Sequence, residues 1–523
     1  MRAPEHRVRP AAFVVLAVLA AMVAAIYGQT LSFDYVFDDQ GYILGPAEMR
    51  EGLSPAAVLW ALRSWDYGNW FPLTRLSWLA DVELFGMNPG PAHLVNALVH
   101  LANAWCMFLV LTALTGLRWR SAALAALWAA HPLQVEAVAW ITERSLLLAT
   151  LFLWAALGAY LGYVRRPGAG RYLAVVLAAL LGYLCKPILL ALPLLLLLLD
   201  WWPLGRMRSG AHAPGARRQL IVEKLPLAVL AAGFGMKAII AQSAVGSLAS
   251  MDALSFVHRA GNAVRGFSWY IVKAVLPTGL GPYYPLSPDT VRWWHTAAAA
   301  ALLTVITLAV ARAWRTRPAA LAGWLWFALT LLPVSGLVQT GSHASADRFS
   351  YIPLIGLLFM VGGLPADRGD GKRRAPLAVA TAALGVVVLA AASFAQTRYW
   401  RDELSLFGRA LAVADSESTI IRNHLAEACE KAGDFASALR HNQVALKLRP
   451  DWAPTRRGLG RLMIRRGDLE DAERHLREAV KLEPKDQAVR DDLDDFLRCR
   501  QDPGTAAACL DRSIIARWDG RGR

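Results

Sequence analysis

The sequence predicts an all-α chain: a polytopic membrane helix bundle followed by a small water-soluble domain of helical hairpins. Three observations predict it. The composition is too apolar for a soluble chain, since 56% of the 523 residues are hydrophobic and only 18% are charged, with a mean hydropathy of +0.35. Soluble domains carry about 45–50% apolar and about 25% charged residues. Charge is also unevenly placed, sparse from about residue 11 to 395 and dense from 396 onward. Finally, the charged tail repeats itself at a fixed period. The predicted division is a membrane body over 1–395, a connecting helix over 396–417 and a repeat domain over 418–523.

The first apolar run, 11–26, follows Arg2, Arg7 and Arg9 and has the look of a signal peptide. We read it as an uncleaved anchor with its N-terminus in the cytoplasm. Further runs cover about 92–114, 121–140, 146–164, 172–185, 187–200, 225–243, 293–312, 319–340, 351–365 and 376–395, making about eleven spans in all. Several are shorter than the ~20 residues a straight span needs, which a large bundle tolerates.

Charge clusters test that count. Arg118 with Arg120, Arg165 with Arg166 and Arg171, the group Arg206, Arg208, Arg217 and Arg218, then Arg312 with Arg315 and Arg317, and finally Arg368 with Lys372, Arg373 and Arg374 each follow an even-numbered run. All therefore fall on the cytoplasmic side of a chain that starts inside. Residues 256–278 are only moderately apolar and contain His258, Arg259, Arg265 and Lys273. We read them as an amphipathic interfacial or re-entrant segment within the external stretch over 244–292. Eleven spans put the charged tail outside.

The net charge of +15 comes largely from those short clusters, so it argues for membrane orientation and against nucleic acid binding. The cysteines are Cys106, Cys185, Cys429, Cys499 and Cys509, with no CxxC pair and no clustered histidines, which argues against a structural zinc site. Cys499 and Cys509 could pair in an oxidising compartment or remain free thiols.

In the tail, Gly433-Asp434-Phe435 recurs as Gly467-Asp468-Leu469, 34 residues on. Ala438, Ala445 and Pro450 recur as Ala472, Ala479 and Pro484. That period, with small residues where helices approach and a proline after the second helix, is the signature of tetratricopeptide (TPR) repeats. Repeats of about 418–451 and 452–485 and a partial third are few for a freestanding solenoid. The tail is expected to pack on the membrane body or on a helix at 399–415, and either to bind a peptide or protein or to serve as a structural cap.

Chemistry has several candidate seats. The first external loop, 31–91, carries Phe37-Asp38-Asp39-Gln40-Gly41-Tyr42. Paired acids there can supply a general base or hold a divalent metal, or be no more than a solvated turn or a helix cap. The same loop holds Trp65, Tyr67, Trp70, Phe71, Arg75 and Trp78, which suit either bilayer-surface helices or a sugar- or lipid-binding surface. Polar groups beside apolar runs are costly in lipid and more informative. They are His131-Pro132 with Glu136, then Glu143-Arg144, Lys186-Pro187, and His343 with Asp347 and Arg348. By the topology above all lie on the external side with Asp38 and Asp39.

These motifs together resemble the GT-C superfamily of polyprenyl-phosphate-sugar-dependent glycosyltransferases. More closely, the chain resembles a bacterial relative of the transmembrane and TPR-repeat-containing O-mannosyltransferases. The stretches that carry the resemblance are Phe37-Asp38-Asp39-Gln40, Pro72-Leu73-Thr74, His93-Leu94-Val95-Asn96 with His100, and His131 to Glu136. They continue with Glu143-Arg144, Lys186-Pro187, Asp200-Trp201-Trp202-Pro203-Leu204-Gly205, Ala346 to Tyr351 and Tyr399-Trp400. The chain departs from the pattern at Phe71 and at Ser145-Leu146.

The resemblance implies a multi-pass protein of the bacterial inner membrane with a GT-C-like body and a periplasmic TPR domain. It also implies inverting transfer of a sugar, with mannose the sugar that the O-mannosyltransferases suggest, from a polyprenyl-phosphate donor to a protein or glycan hydroxyl. Asp39 or Asp38 would then be the base, with Asp39 preferred, and Arg144, Lys186 and Arg348 would hold the donor phosphate. His131, Glu136, Glu143, His343, Asp347 and Arg75 would support the site. No cofactor is required, with a divalent metal an option at Asp38 and Asp39. The competing reading is a non-catalytic membrane scaffold whose TPRs recruit partners.

Overall fold

A computed structural model describes residues 10–209, 216–247, 254–286, 292–362 and 371–500. The predicted features at Arg2, Arg7, Arg9, Arg368 and Cys509 lie outside the described residues. The chain forms two compact units, Met1–Leu280 with Leu286–Asp402, and Gly281–Pro285 with Glu403–Arg523.

The first unit is almost wholly helical. It opens with α1 (Pro10–Tyr27), α2 (Pro55–Arg63), α3 (Pro72–Phe85), α4 (Pro89–Thr115), α5 (Arg118–Ala129), α6 (Val135–Ala139) and α7 (Arg144–Arg165). It continues with α8 (Ala169–Cys185), α9 (Leu192–Trp201), α10 (Arg206–Ser209), α11 (Ala216–Val222) and α12 (Leu225–Ala244). It closes with α13 (Phe256–Val275), α14 (Trp293–Arg312), α15 (Pro318–Leu331), α16 (Pro353–Gly362) and α17 (Gly371–Thr397). Proline begins α2, α3, α4 and α15, where its missing N–H costs nothing.

Among the described residues, six helices are long and apolar enough to cross a membrane: Ala12–Ser32, Pro89–Thr115, Ile141–Arg165, Arg217–Ala244, Trp293–Arg312 and Val379–Trp400. Four shorter apolar helices, Ala169–Cys185, Leu189–Trp201, Pro318–Val334 and Pro353–Gly362, account for four more of the predicted runs. The run at 121–140 is not one helix. It stops at Ala129, turns at His131-Pro132 and resumes as the single turn of α6. The segment 256–278 is the separate 20-residue helix α13, which buries Arg259 and Asn262 on its inner side.

The break after α5 has a cause in α4. His93, Asn96, His100 and Asn103 recur at the spacing of one helix face, and all are buried. Asn96 Nδ2 donates to the carbonyls of Val138 and Trp140, Asn103 Nδ2 donates to Leu147 O, and His100 Nε2 lies 3.2 Å from Ala129 O. Broken backbone among apolar helices needs such partners.

The segment over 31–91 is also ordered. Tyr42, Met49, Ala57, Ala61, Phe71, Trp78 and Leu79 form a small core of their own with Ala92 and Ile141.

The second unit adds α18 (Glu403–Val413), α19 (Thr419–Lys431), α20 (Phe435–Leu448), α21 (Ala453–Arg466), α22 (Leu469–Leu482) and α23 (Gln487–Arg500). The helix starts at 419, 453 and 487 keep the 34-residue period, as do 435 and 469. Gly433 (φ +82°) and Gly467 (φ +81°) take the left-handed conformation at equivalent turns, where a side chain would be strained. The helix α18 covers the first repeat through Lys431–Glu403 at 2.6 Å and a Phe407–His424 stack at 4.5 Å. Cys499 is buried on α23.

Candidate active site

The turn after α1 brings the paired acids to one end of the bundle and gives them opposite surroundings. Phe37 has φ +57°, a conformation that a bulky side chain rarely adopts. Its ring stacks on Trp140 at 5.2 Å. Beyond it the chain turns tightly, with Asp38 O accepting from Gly41 N and Tyr42 N.

Asp38 is exposed and Asp39 is fully buried. Asp39 Oδ2 accepts from Val36 N at 3.1 Å, and Oδ1 accepts from Thr142 N at 2.9 Å and Thr142 Oγ1 at 2.5 Å. Burial raises its carboxyl from 3.8 to about 7, against the pull of those three donors. Asp39 therefore ties the turn to the start of α7. The two carboxylates do not share one open space, and no group of three or more metal-ligating side chains occurs among the described residues.

Four charged groups from three parts of the chain converge nearby. Arg348 Nη1 donates to Glu136 Oε1 at 2.5 Å, its backbone N donates to Glu136 Oε2 at 2.7 Å, and its Nε lies 3.3 Å from Glu143 Oε1. Lys186 Nζ reaches the other oxygen, Glu143 Oε2, at 2.6 Å. Burial works against the Arg348 charge, but Glu136, Glu143 and the more distant Asp38 hold its guanidinium above the ordinary value. Trp140 lies under that guanidinium at 5.2 Å. Arg348 Nη2 and two of the three Lys186 N–H groups have no protein partner among the described residues.

The other predicted site residues are placed differently. Arg144 is fully buried and turned toward α3 and α4. Its Nε donates to Asn96 Oδ1 at 2.8 Å, Nη2 donates to Ala92 O at 2.7 Å, and Nη1 is paired with Asp81. Arg75 is likewise buried, donating to Ser64 O at 2.8 Å with Phe71 beneath it at 4.6 Å. His131 accepts from Leu133 N through Nδ1 and lies 3.1 Å from Ala274 O through Nε2, so it caps the break and fastens α13. His343 sits beside the Phe349 ring at 5.5 Å, and burial with Arg348 lowers its imidazole to about 3, so it stays neutral. Asp347 is buried at the start of the turn that carries Arg348, and Tyr270 OH donates to Ala346 O just before it.

Sequence reasoning missed Thr142, Asp81 and Trp140, whose importance comes from contacts 40 or more residues away in sequence. Asp81 alone of the three gave a signal, as one of two acids, with Glu83, on the largely apolar α3. The Asp200 motif forms a separate cluster. Asp200 accepts from Tyr160 OH at 2.7 Å and pairs with Lys224 at 2.5 Å and Arg206 at 3.0 Å. Glu223 pairs with the same two cations. Two acids and two bases close on themselves there, which suits a structural pin.

Comparison with known proteins bears on this geometry. A tetratricopeptide repeat family model matches residues 430–491. Over 210 residues, 38% of this chain, 31% of positions are identical to the protein O-mannosyl-transferase Tmtc1 of Drosophila melanogaster. The similarity is to O-mannosyltransferases. Tmtc2 of Drosophila melanogaster is 31% identical over 32% of the chain, and TMTC1 of Mus musculus is 32% identical over 31% of it. The chain spans only 24%, 19% and 18% of the lengths of these three curated relatives. No solved structure matches.

Proposed function

We propose that this chain is an integral-membrane glycosyltransferase that moves a sugar from a polyprenyl-phosphate donor to an acceptor hydroxyl, with inversion, at the external face. The convergence of Asp38, Lys186 and Arg348 at one end of the bundle supports this reading most directly. Relatives named as protein O-mannosyl-transferases favour mannose as the sugar and a protein hydroxyl as the acceptor.

The acceptor hydroxyl is a poor nucleophile and needs a base. Asp38 is exposed to an incoming acceptor while Asp39 is fully buried, so the base role goes to Asp38 rather than to Asp39. As the acceptor oxygen bonds to the sugar's anomeric carbon, its proton passes to Asp38 and the bond from that carbon to the phosphate oxygen breaks. The departing polyprenyl phosphate gains charge that fixed cations must meet. Lys186 and the free Nη2 of Arg348 are suited to this, Arg through its planar fork. Arg144 is assigned to positioning instead, because its donors are engaged by Asn96, Ala92 and Asp81. Glu136 and Glu143 hold the two cations in place. The reading needs no metal, because Lys186 and Arg348 would meet the charge on the phosphate. The TPR repeats are assigned to binding the protein acceptor, and the membrane to the bacterial inner membrane with the tail in the periplasm.

Mass spectrometry of exported proteins from cells with and without the gene tests this. Hexose-bearing Ser/Thr peptides present only with the gene support it, and identical glycopeptide sets in both strains contradict it. The scaffold reading predicts identical sets.

A further inference from the structure

Lys237 is a charged group that the proposed mechanism does not use. It lies in α12, within the apolar segment Arg217–Ala244, where an ionisable side chain is costly unless it has a task. Among the described residues it has no ion pair and no hydrogen bond. What it has is aromatic. Its ammonium is 2.9 Å from the centre of the Trp70 ring and 4.7 Å from that of Trp65. Trp70 is held in place by its Nε1 donating to Leu62 O at 2.9 Å and by stacking on Phe234 at 6.2 Å. Trp65 is half exposed, and Met236 and Ile240 on the same helix are more so. Ring faces attract a cation without neutralising it, and an ammonium keeps three N–H donors.

The same loop also reaches the candidate active site. Gln242 Nε2 donates to Gly68 O at 3.0 Å, fastening α12 to the loop. Asn69 Nδ2 donates to Tyr42 OH at 2.7 Å, and the Tyr67 and Tyr42 rings meet at 5.0 Å. Tyr42 N in turn donates to Asp38 O. One short loop thus touches Lys237 at one end and the Asp38 turn at the other.

We propose that Lys237, Trp65 and Trp70 form a capture site for a polyprenyl-phosphate sugar, holding the donor in the membrane before its phosphate reaches Lys186 and Arg348. This rests on the glycosyltransferase reading. A phosphodiester donor carries one negative charge, matching a single unpaired ammonium. Its unsaturated chain has apolar surface for the indole faces and for exposed Met236 and Ile240. Inorganic phosphate has no such chain.

The test uses the full chain in phosphatidylcholine nanodiscs and polyprenyl-phosphate mannose bearing a diazirine next to the phosphate. After irradiation, labelled peptides are identified by mass spectrometry. In the wild type, label is expected on the peptides spanning 60–71 and 230–245. Lys237→Gln should lower it about fivefold or more, whereas Lys237→Arg should retain it. Label elsewhere on the chain and an unchanged melting temperature show that Lys237→Gln is folded. Asp38→Asn should label like the wild type. Undiminished labelling of these peptides in Lys237→Gln would overturn the proposal. So would complete displacement of the probe by an equal amount of phosphatidylglycerol, which would make this a general anionic-lipid site. Labelling that depends on Lys237 in a protein that transfers no sugar would keep the capture site and remove the enzymatic reading. Sugar transfer without such labelling would do the reverse.

Discussion

Asp38 and Asp39 are adjacent, chemically identical and placed in opposite environments. Asp38→Asn should lower sugar transfer by about 10²–10⁴-fold while leaving the melting temperature in detergent unchanged. Asp39→Asn should instead lower stability, because its amide N–H₂ would meet the Val36 or Thr142 donors. The pH dependence has a definite sign. Burial raises Asp39 from 3.8 in the unfolded chain to about 7 in the folded one, so the folded state holds this proton more tightly. That contribution is fully present below about pH 4 and is lost as the pH rises through about 7. Melting curves from pH 5 to 8 should slope downward in the wild type and flatten in Asp39→Asn. The sequence could not separate these two acids, nor Arg144 from Arg348. Each fate depends on remote partners: Thr142 for Asp39, and Asp81 with Asn96 for Arg144. For that pair, Asp81→Asn leaves the buried guanidinium uncompensated and should cost about 3–5 kcal/mol, read by thermal unfolding in detergent.

Helices pack here through small residues as much as through large ones. A Cβ on Gly356 would lie 2.5 Å from Gly323 O, and one on Gly323 would lie 2.5 Å from Gly356 O, so α15 and α16 touch backbone to backbone. Gly356→Val should force them apart at a cost of about 1–3 kcal/mol, seen as a lower melting temperature. Gly41 is a similar case beside the site, since a Cβ there would meet Tyr67 OH at 2.7 Å. Much at this scale was legible beforehand. The apolar runs mark most helices, and the charges in 256–278 set that segment apart from the spans, though not as the 20-residue helix it forms. The break in 121–140 was only half legible. His131-Pro132 signalled an interruption, but the stop at Ala129 depends on the polar face of α4 supplying partners to freed carbonyls.

For the molecule as a whole, legibility followed locality. The repeat period is a property of neighbouring residues, so the sequence revealed it and the helix starts keep it. The proposed site draws on Asp38, Glu136, Glu143, Lys186 and Arg348, which are far apart in the chain. The sequence therefore offered candidates without deciding which of them face one another. The charge balance of Lys186 and Arg348 against Glu136 and Glu143 also emerges only in the folded chain. It means that neither cation is idle before substrate arrives. The decisive measurement is transfer of radiolabelled mannose from polyprenyl-phosphate-mannose to a Ser/Thr-rich peptide by the purified chain in nanodiscs. The glycosyltransferase reading predicts labelled peptide with the wild type and almost none with Asp38→Asn. No labelled peptide from the folded wild type with any polyprenyl-phosphate sugar, or equal labelling by Asp38→Asn, would contradict it.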